Sequence, residues 1–376
     1  MNVRTPIALE PAIEAFAAVD DPRIDRCKLH PLTNILVMAL CGALVGADGW
    51  DDLAEFAELN ASWFGTFLDL PHGTPSADTF RRVFQALDPC DLESSLQQWV
   101  RSVSETFKDE VVAIDGKSLR GAIEKAGSTV PMHLLHVWAT RQGLLLAQQQ
   151  VEGAPGEVRA IPEILKRVRI DGAIVTTDAN GCTKAVTAAI RGANADFVLA
   201  LKGNRGPLYD KAVELFSEEE ERGFTRVDTH HSTSKGHGRT EERVVRVMPL
   251  EAQLKGWTDV NSIVMIDRTR TLSGKSKAER RYYITSLGSE AAKLANAIRS
   301  HWSIENNLHW VLDVTFLEDS RRIRERRGAQ NLALVSRLAL MMLKRSPIKR
   351  SIRLKRKRAG WSKEYLTELL TGGLDA

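Results

Sequence analysis

The sequence predicts a mixed α/β protein with a helical N-terminal region, a β-rich insertion and a basic C-terminal segment. Three observations support this. Residues 8–107 repeat apolar positions at three-and-four spacing, the period of a helix face packed on a core. From Val111 onward, short apolar runs alternate with helical stretches, which is the rhythm of a layered α/β fold. Residues 206–281 break that rhythm with an acidic helix and several β-like runs.

In chain order, the first region has breaks at Asp20–Pro22, Asp48–Gly49, Pro71–Pro75 and Asp88–Pro89, which divide it into several helices. Ser76–Asp78 is a helix-start signal. After it, Phe80, Val83, Phe84 and Leu87 form an apolar stripe with Arg81 and Arg82 on the other face. Val111–Asp115 reads as a strand ending in an acid. Leu134–Ala139 and Leu144–Val151 flank a turn at Arg141–Gly143, and Ile161–Val168 is helical. Ala173–Thr177 is a second apolar run ending in an acid, Asp178, followed by a helix (Thr183–Ile190) and a strand (Phe197–Leu201). Within the insertion, Glu214–Arg222 is an acidic helix, and Phe224–Thr229, Arg243–Pro249 and Ser262–Arg268 are β-like. Arg281–Leu287 returns to a strand, a long helical stretch runs to about Phe316, and another helix surrounds Leu332–Lys344. The boundaries expected are 1–107, 108–205, 206–281, 282–345 and 346–376.

With 376 residues, 43% hydrophobic and 27% charged, the chain is long enough for two or three structural units. Its longest apolar run, Ile35–Ala47, falls short of the roughly 20 residues of a membrane helix, and no signal segment opens the chain, so a cytoplasmic protein is expected. Cys27, Cys41, Cys90 and Cys182 lie far apart without a C-x-x-C pair. That argues against a disulfide framework or cysteine zinc site and for reduced, mostly buried thiols. The net charge of +4 hides an asymmetry. Residues 321–358 hold 15 Lys/Arg against one acid, Glu325, whereas residues 1–320 carry 36 basic and 44 acidic side chains. Positive charge so concentrated attracts a polyanion, of which nucleic acid is the commonest; a solvated charged tail is the alternative.

Asp115 and Asp178 each end an apolar β run, the position where α/β sheets collect ligands. Neighbouring parallel strands would bring the two carboxylates together, and a hard divalent cation, Mg²⁺ or Mn²⁺, would relieve their repulsion. An aspartate after a strand is more often a turn or helix cap, which is the alternative for each. Farther along, His301, Glu305 and His309 recur at i, i+4 and i+8, with Asp313 four residues on, and so share one helix face. A zinc site there is disfavoured, because ligands eight residues apart on a straight helix stand about 12 Å apart. Glu305 delivered beside Asp115 and Asp178 would instead complete a two-metal site.

The strings DPR (21–23), HPLTNIL (30–36), GADGW (46–50), PSADTFRRVF (75–84), AIDGKSLRGA (113–122), TTDANGC (176–182), LKGN (201–204), HGRTEER (237–243), YYITSL (282–287), RSHWSIENNLHWVLDVTFLED (299–319) and Ala359–Trp361 extend over nearly the whole chain. In that order they resemble the DDE transposases of bacterial insertion sequences, specifically the subgroup of H-repeat-associated proteins. The resemblance implies an RNase H-like catalytic core with Asp115, Asp178 and Glu305 as its metal-binding triad, interrupted before the last helix by the insertion. It implies double-stranded DNA as partner, both element ends and target, with a homodimer on paired ends. Arg299, His301 and Asn306, flanking the glutamate, inherit DNA or supporting contacts; Lys117 and Asp313 are weaker candidates, as are His237, Arg239 and Arg243 in the insertion. By position, Arg81, Arg82 and Arg101 would grip the terminal repeats. By charge, Arg321, Arg322, Arg324, Arg326 and Arg327 would line the groove to the active site. Asn180, Thr183 and Arg205 depart from the family pattern. An active transposase, a non-catalytic DNA-binding derivative and a metal-dependent recombination nuclease all fit these residues.

Overall fold

The structure, a computed structural model, describes residues 11–121, 131–203, 206–236, 238–251, 254, 256–321 and 323–371. Six helices come first: α1 (Pro11–Ala17), α2 (Leu32–Val45), α3 (Trp50–Leu59), α4 (Ala61–Phe64), α5 (Ala77–Ala86) and α6 (Pro89–Val103). Their starts are written in the sequence. Ser76 Oγ accepts the Thr79 amide and Asp88 Oδ1 accepts the Cys90 amide, with Pro89 in the first turn, where its missing N–H costs nothing. Helix α2 is buried all round from Asn34 to Leu44. The stretch Asp25–Val45 is long and apolar enough, by length and composition, to cross a membrane. This differs from the expectation drawn from the run at Ile35 alone. Most of the stretch is buried inside the protein, and Asn34 Nδ2 donates to the Asp69 carbonyl at 2.7 Å, so it serves as the central core helix.

The rest of the chain builds one nine-stranded sheet in the order β3-β2-β1-β4-β5-β9-β8-β7-β6. Its strands are β1 (Val111–Leu119), β2 (Met132–Ala139), β3 (Leu144–Val151), β4 (Ile174–Thr177), β5 (Asp196–Leu201), β6 (Asp228–Gly236), β7 (Arg239–Pro249), β8 (Ser262–Leu272) and β9 (Lys275–Thr285). Strands β1, β4 and β5 are parallel, and the β1-β2-β3 hairpins and the β5-β9-β8-β7-β6 meander are antiparallel. The insertion is therefore continuous with the sheet, because β9 pairs with β5 on one side and β8 on the other. Its first strand begins at Asp228, later than the run at Phe224 suggests. Helices α7 (Gly153–Leu165), α8 (Lys184–Gly192) and α9 (Pro207–Glu221) connect the strands. Thr183 caps α8, its Oγ1 accepting the Val186 amide at 3.3 Å.

After β9 the predicted long helix is broken. Helix α10 (Ala291–His301) ends, Glu305–His309 form a π-helical turn, and α11 (Trp310–Val314) follows. Helix α10 packs Leu294, Ala297 and Ile298 on Val111, Ile174 and Val198 of the sheet. Helix α12 (Arg326–Arg345) then packs on α2, α5 and α6 while still touching β2 and β3, so the N-terminal helices share their core with the end of the chain. Helices α13 (Ile352–Trp361) and α14 (Lys363–Leu370) occupy the segment read as a basic tail. That segment is folded onto the core. Lys355 Nζ donates to the carbonyls of Leu343 and Ser346, and Arg356 Nη2 donates to that of Ala43 at 2.9 Å. The cysteines also differ from expectation, with Cys41 and Cys182 buried but Cys27 and Cys90 exposed.

Candidate active site

Strand β4 stops pairing with β1 where Thr177 meets Ile114. Asp178 and Asp115, the next residues, therefore stand side by side at the opening of the parallel ladder. β1 itself runs on to Leu119, because its hairpin partner β2 keeps pairing to Met132. Glu305 arrives from the π turn. Asp115, Glu305 and His309 each offer a ligand atom within 4.8 Å of the others. His309 Nδ1 lies 3.2 Å from Glu305 Oε2 and 3.7 Å from Asp115 Oδ2. Asp178 stands outside that group, its Oδ1 accepting the amides of Asn180 at 2.9 Å and Gly181 at 3.3 Å.

The electrostatics suit a cation. Burial pushes the Asp115 carboxyl up to about 6, with the charges of Glu157 and Asp178 adding to it and His309 and the Gly116 amide opposing. Glu305, half-solvated, is held below the usual carboxylate range by its hydrogen bond from His309. Two hard carboxylates, one of them short of compensating positive charge, are a donor set that fits a divalent metal ion. Burial also drives His301 down to about 4. Its Nδ1 is 3.0 Å from Thr176 Oγ1 on β4, and it stands outside the Asp115–Glu305–His309 group, so the three helix residues do not form one ligand set.

Beside the carboxylates lies a cleft of about 780 Å³ between the outer strands and α10. Arg239, Arg243, Arg268, Arg281, Arg299 and Asn306 line it. Four of these come from two strings named in the sequence, Arg239 and Arg243 from the one at 237–243 and Arg299 and Asn306 from the one at 299–319. Arg268 and Arg281 were missed, although Arg268 ends a β-like run of the insertion and Arg281 opens the strand that follows it. Arg243 faces Arg268 across the β7–β8 ladder, and burial holds it below its ordinary value, with Arg299 and Arg268 adding to the effect. Glu241 is the local counter-charge, its Oε1 2.5 Å from Arg268 Nε. An arginine-lined concavity of this kind favours a phosphate backbone.

Other expected residues fall elsewhere. Lys117 is buried and bound to Asp313, with Asp319 at 3.6 Å, so it is not available to DNA. Arg321 is buried too, donating to Ser336 Oγ at 2.7 Å with Asp48 at 3.6 Å, and does not line the arginine cleft. Arg324 and Arg327 are exposed and Arg326 half-buried at the start of α12. Arg322, His237 and Arg205 lie outside the described residues. Arg82 Nε is paired with Asp78 at 2.7 Å, as is Arg81; Arg101 is exposed. Behind His309, a chain of buried groups went unread in the sequence: His136, Arg337 and Glu318. A histidine inside the apolar run 134–139 and an arginine inside the apolar helix 332–344 were the available signals.

This α/β sheet, with carboxylates gathered at the strand opening beside a basic cleft, is a site of the class that acts on nucleic acid. The comparisons with known proteins make it specific. The family described as "Transposase DDE domain" matches residues 106–342, and its companion "DDE_Tnp_1-associated" matches residues 13–100. The transposase-named H repeat-associated protein YhhI of Escherichia coli (strain K12) is 31% identical over 97% of this chain and 98% of its own. Transposase-named YncI of Escherichia coli O157:H7 is 30% identical over 97% and 95%. A protein of the dhlA 3′ region of Xanthobacter autotrophicus is 38% identical over 72% and 92%. A piggyBac transposase synaptic complex with hairpin DNA aligns at 10% identity over 98% of this chain and 80% of that one, with a TM-score of 0.41. The chain belongs to the DDE transposase family, as the resemblance implies.

Proposed function

We propose that this transposase cuts DNA at the ends of a bacterial insertion sequence and joins the freed ends to target DNA, with Asp115, Asp178 and Glu305 as its catalytic carboxylates. The observation that carries this reading is the meeting of Asp115 and Glu305, from opposite ends of the α/β region, within one 4.8 Å group whose π turn also supplies a wall of the basic cleft. The strand order β3-β2-β1-β4-β5, antiparallel then parallel about β1, supports an RNase H-like core extended by the insertion.

Asp115 and Glu305 would hold Mg²⁺, or Mn²⁺ as substitute, with Asp178 turned from its loop amides to complete the set. An ion held there would supply charge stabilisation at the phosphate and a lowered pKa for the attacking water or 3′-hydroxyl. The chain's own groups do the rest. His309 orients Glu305, and Arg239, Arg243, Arg299 and Asn306 hold the sugar–phosphate backbone in the cleft. These contacts position without reading sequence. The helical region 1–107 is assigned to recognising the terminal repeats, with Arg101 exposed for that role. The exposed Arg324 and Arg327 extend the basic surface, and a homodimer would pair the two ends in the cytoplasm, on the nucleoid.

The test is a Mg²⁺-dependent cleavage and strand-transfer assay on DNA carrying the element's own ends, with Glu305→Gln alongside. Cleavage and joining by wild type, lost in the variant, is the expected result. Wild type that binds those ends without cutting them would leave only a DNA-binding derivative; cutting without joining would leave a nuclease.

A further inference from the structure

The carboxylate pair is backed by a chain of buried groups whose hydrogen-bond polarity is fixed at its far end. Arg337, fully buried in α12, is locked by Glu318, with Nη1 to Oε1 at 2.5 Å and Nη2 to Oε2 at 3.2 Å, and by the Ala333 carbonyl at 2.8 Å. Its Nε lies 3.2 Å from His136 Nε2. A guanidinium only donates, so His136 Nε2 carries the lone pair and the imidazole is neutral, with its proton on Nδ1. Gln148 faces the same nitrogen at 3.2 Å, and its own Nε2 has no hydrogen-bond partner; with the amide nitrogen toward the ring it becomes a second donor. His136 Nδ1 is 3.2 Å from His309 Nε2. That Nδ1–H must therefore donate, and His309 Nε2 must accept. The remaining His309 proton is then on Nδ1, which faces Glu305 Oε2 and Asp115 Oδ2.

We propose that Arg337 and His136 are positioning residues that fix His309 as a hydrogen-bond donor to Glu305, beside Asp115, so that His309 aligns the Glu305 carboxylate and is not itself a metal ligand. The proposal rests on the metal-site reading above only where it concerns ligation. A nitrogen that bears a proton has no lone pair for a metal, and a donor to Glu305 Oε2 holds that oxygen in place while leaving its other lone pairs free. Outer groups of this kind set the orientation of ligands in other metal sites. Here three ordered residues, from β2, the π turn and α12, carry the orientation into the core.

Two measurements on the full-length protein test it. The ¹⁵N chemical shifts of the histidine side chains should give His309 and His136 as pure Nδ1–H tautomers without added metal, assigned by the loss of each signal in His309→Asn and His136→Asn. An Nε2–H tautomer at His309 would overturn the proposal whether or not metal binds. Spin-echo modulation of bound Mn²⁺ should show no directly coordinated ¹⁴N; a coordinated imidazole nitrogen lost in His309→Asn would also overturn it. Mn²⁺ that does not bind at all would sink the metal-site reading while the tautomer result still stands. In Arg337→Met, the Nδ1–H preference of His136 should relax to a mixture and Mn²⁺ affinity should fall about tenfold. Arg337→Lys, which keeps a donor, should retain part of the preference. If Arg337→Met is folded and both properties are unchanged, Arg337 has no positioning role.

Discussion

Glu305 begins the π turn that His309 ends, and its Oε2 accepts from His309 Nδ1 at 3.2 Å. One extra residue in the turn lets a buried histidine and a solvent-facing carboxylate meet while Asn306 and Asn307 stay on the cleft side. π turns recur at functional sites because they re-aim side chains at some cost to the helix. Glu305→Gln keeps the shape and a carbonyl acceptor but removes the charge. It should lower DNA cleavage by more than about a hundredfold, since even outer groups around a metal are worth ten- to a hundredfold. DNA binding measured by gel shift should change less than about threefold. Retained cleavage would remove Glu305 from the site.

The Asp115 carboxyl sets a pH dependence. Its folded value of about 6 lies above its ordinary value, so between about pH 4 and 6 the folded protein holds a proton that the unfolded chain has released. For this group, metal-free stability falls as pH rises through that window. Asp115→Asn should therefore stabilise the metal-free protein at pH 7.5, by on the order of 2 kcal/mol, and should flatten its stability between pH 4 and 6. Urea unfolding at the two ends of the window measures this. With Mn²⁺ present the sign reverses, because metal competes with the proton: wild-type affinity should fall about threefold or more from pH 7 to pH 5.5.

The basic cleft gives a salt dependence. Arg239 and Arg299 are exposed, whereas Arg243 and Arg268 share Glu241. Arg299→Ala and Arg239→Ala should each reduce the slope of log affinity against log salt by up to about 0.9, and the loss should be the same on unrelated DNA sequences. Arg268→Ala should do less, since it also frees Glu241. Slopes equal to wild type for both exposed arginines would move the DNA path away from this cleft.

The strands that place Asp115 and Asp178 were legible because each begins as an apolar run with an acid at its end, although β1 continues past Asp115 to Leu119, and the Arg141–Gly143 hairpin was legible because Gly143 supplies the positive φ of the turn. The π turn was not legible. A helical period is read from apolar spacing, and Ile304, Leu308 and Leu312 keep ordinary helical spacing across the irregularity, so nothing in the pattern marks it. The burial of Lys117 and Arg321 was hidden for another reason. Their partners Asp313 and Asp48 are distant in sequence, and local charge counts treat every lysine or arginine as solvated. The same count exaggerated the tail, where Lys355 and Arg356 donate to carbonyl groups inside the protein rather than facing a polyanion.

That last distinction yields a prediction in which charge and stability separate. Arg356 donates to the Ala43 carbonyl at 2.9 and 3.2 Å and to the Thr315 carbonyl, and it stacks on Phe316 at 4.0 Å. Burial lowers it to about 10, still charged at neutral pH. Removing it strands two buried carbonyls and leaves Asp48 with Arg321 as its nearby cation. Arg356→Ala should therefore destabilise the protein by about 3 kcal/mol, and denaturant unfolding should show a lower midpoint. Arg353 and Lys357, on the exposed face of the same helix, should be neutral within about 0.5 kcal/mol on substitution by alanine, and any effect they have should appear in the salt slope of DNA binding. If Arg356→Ala unfolds like wild type while Arg353→Ala is strongly destabilised, the packing of α13 on α2 is wrong.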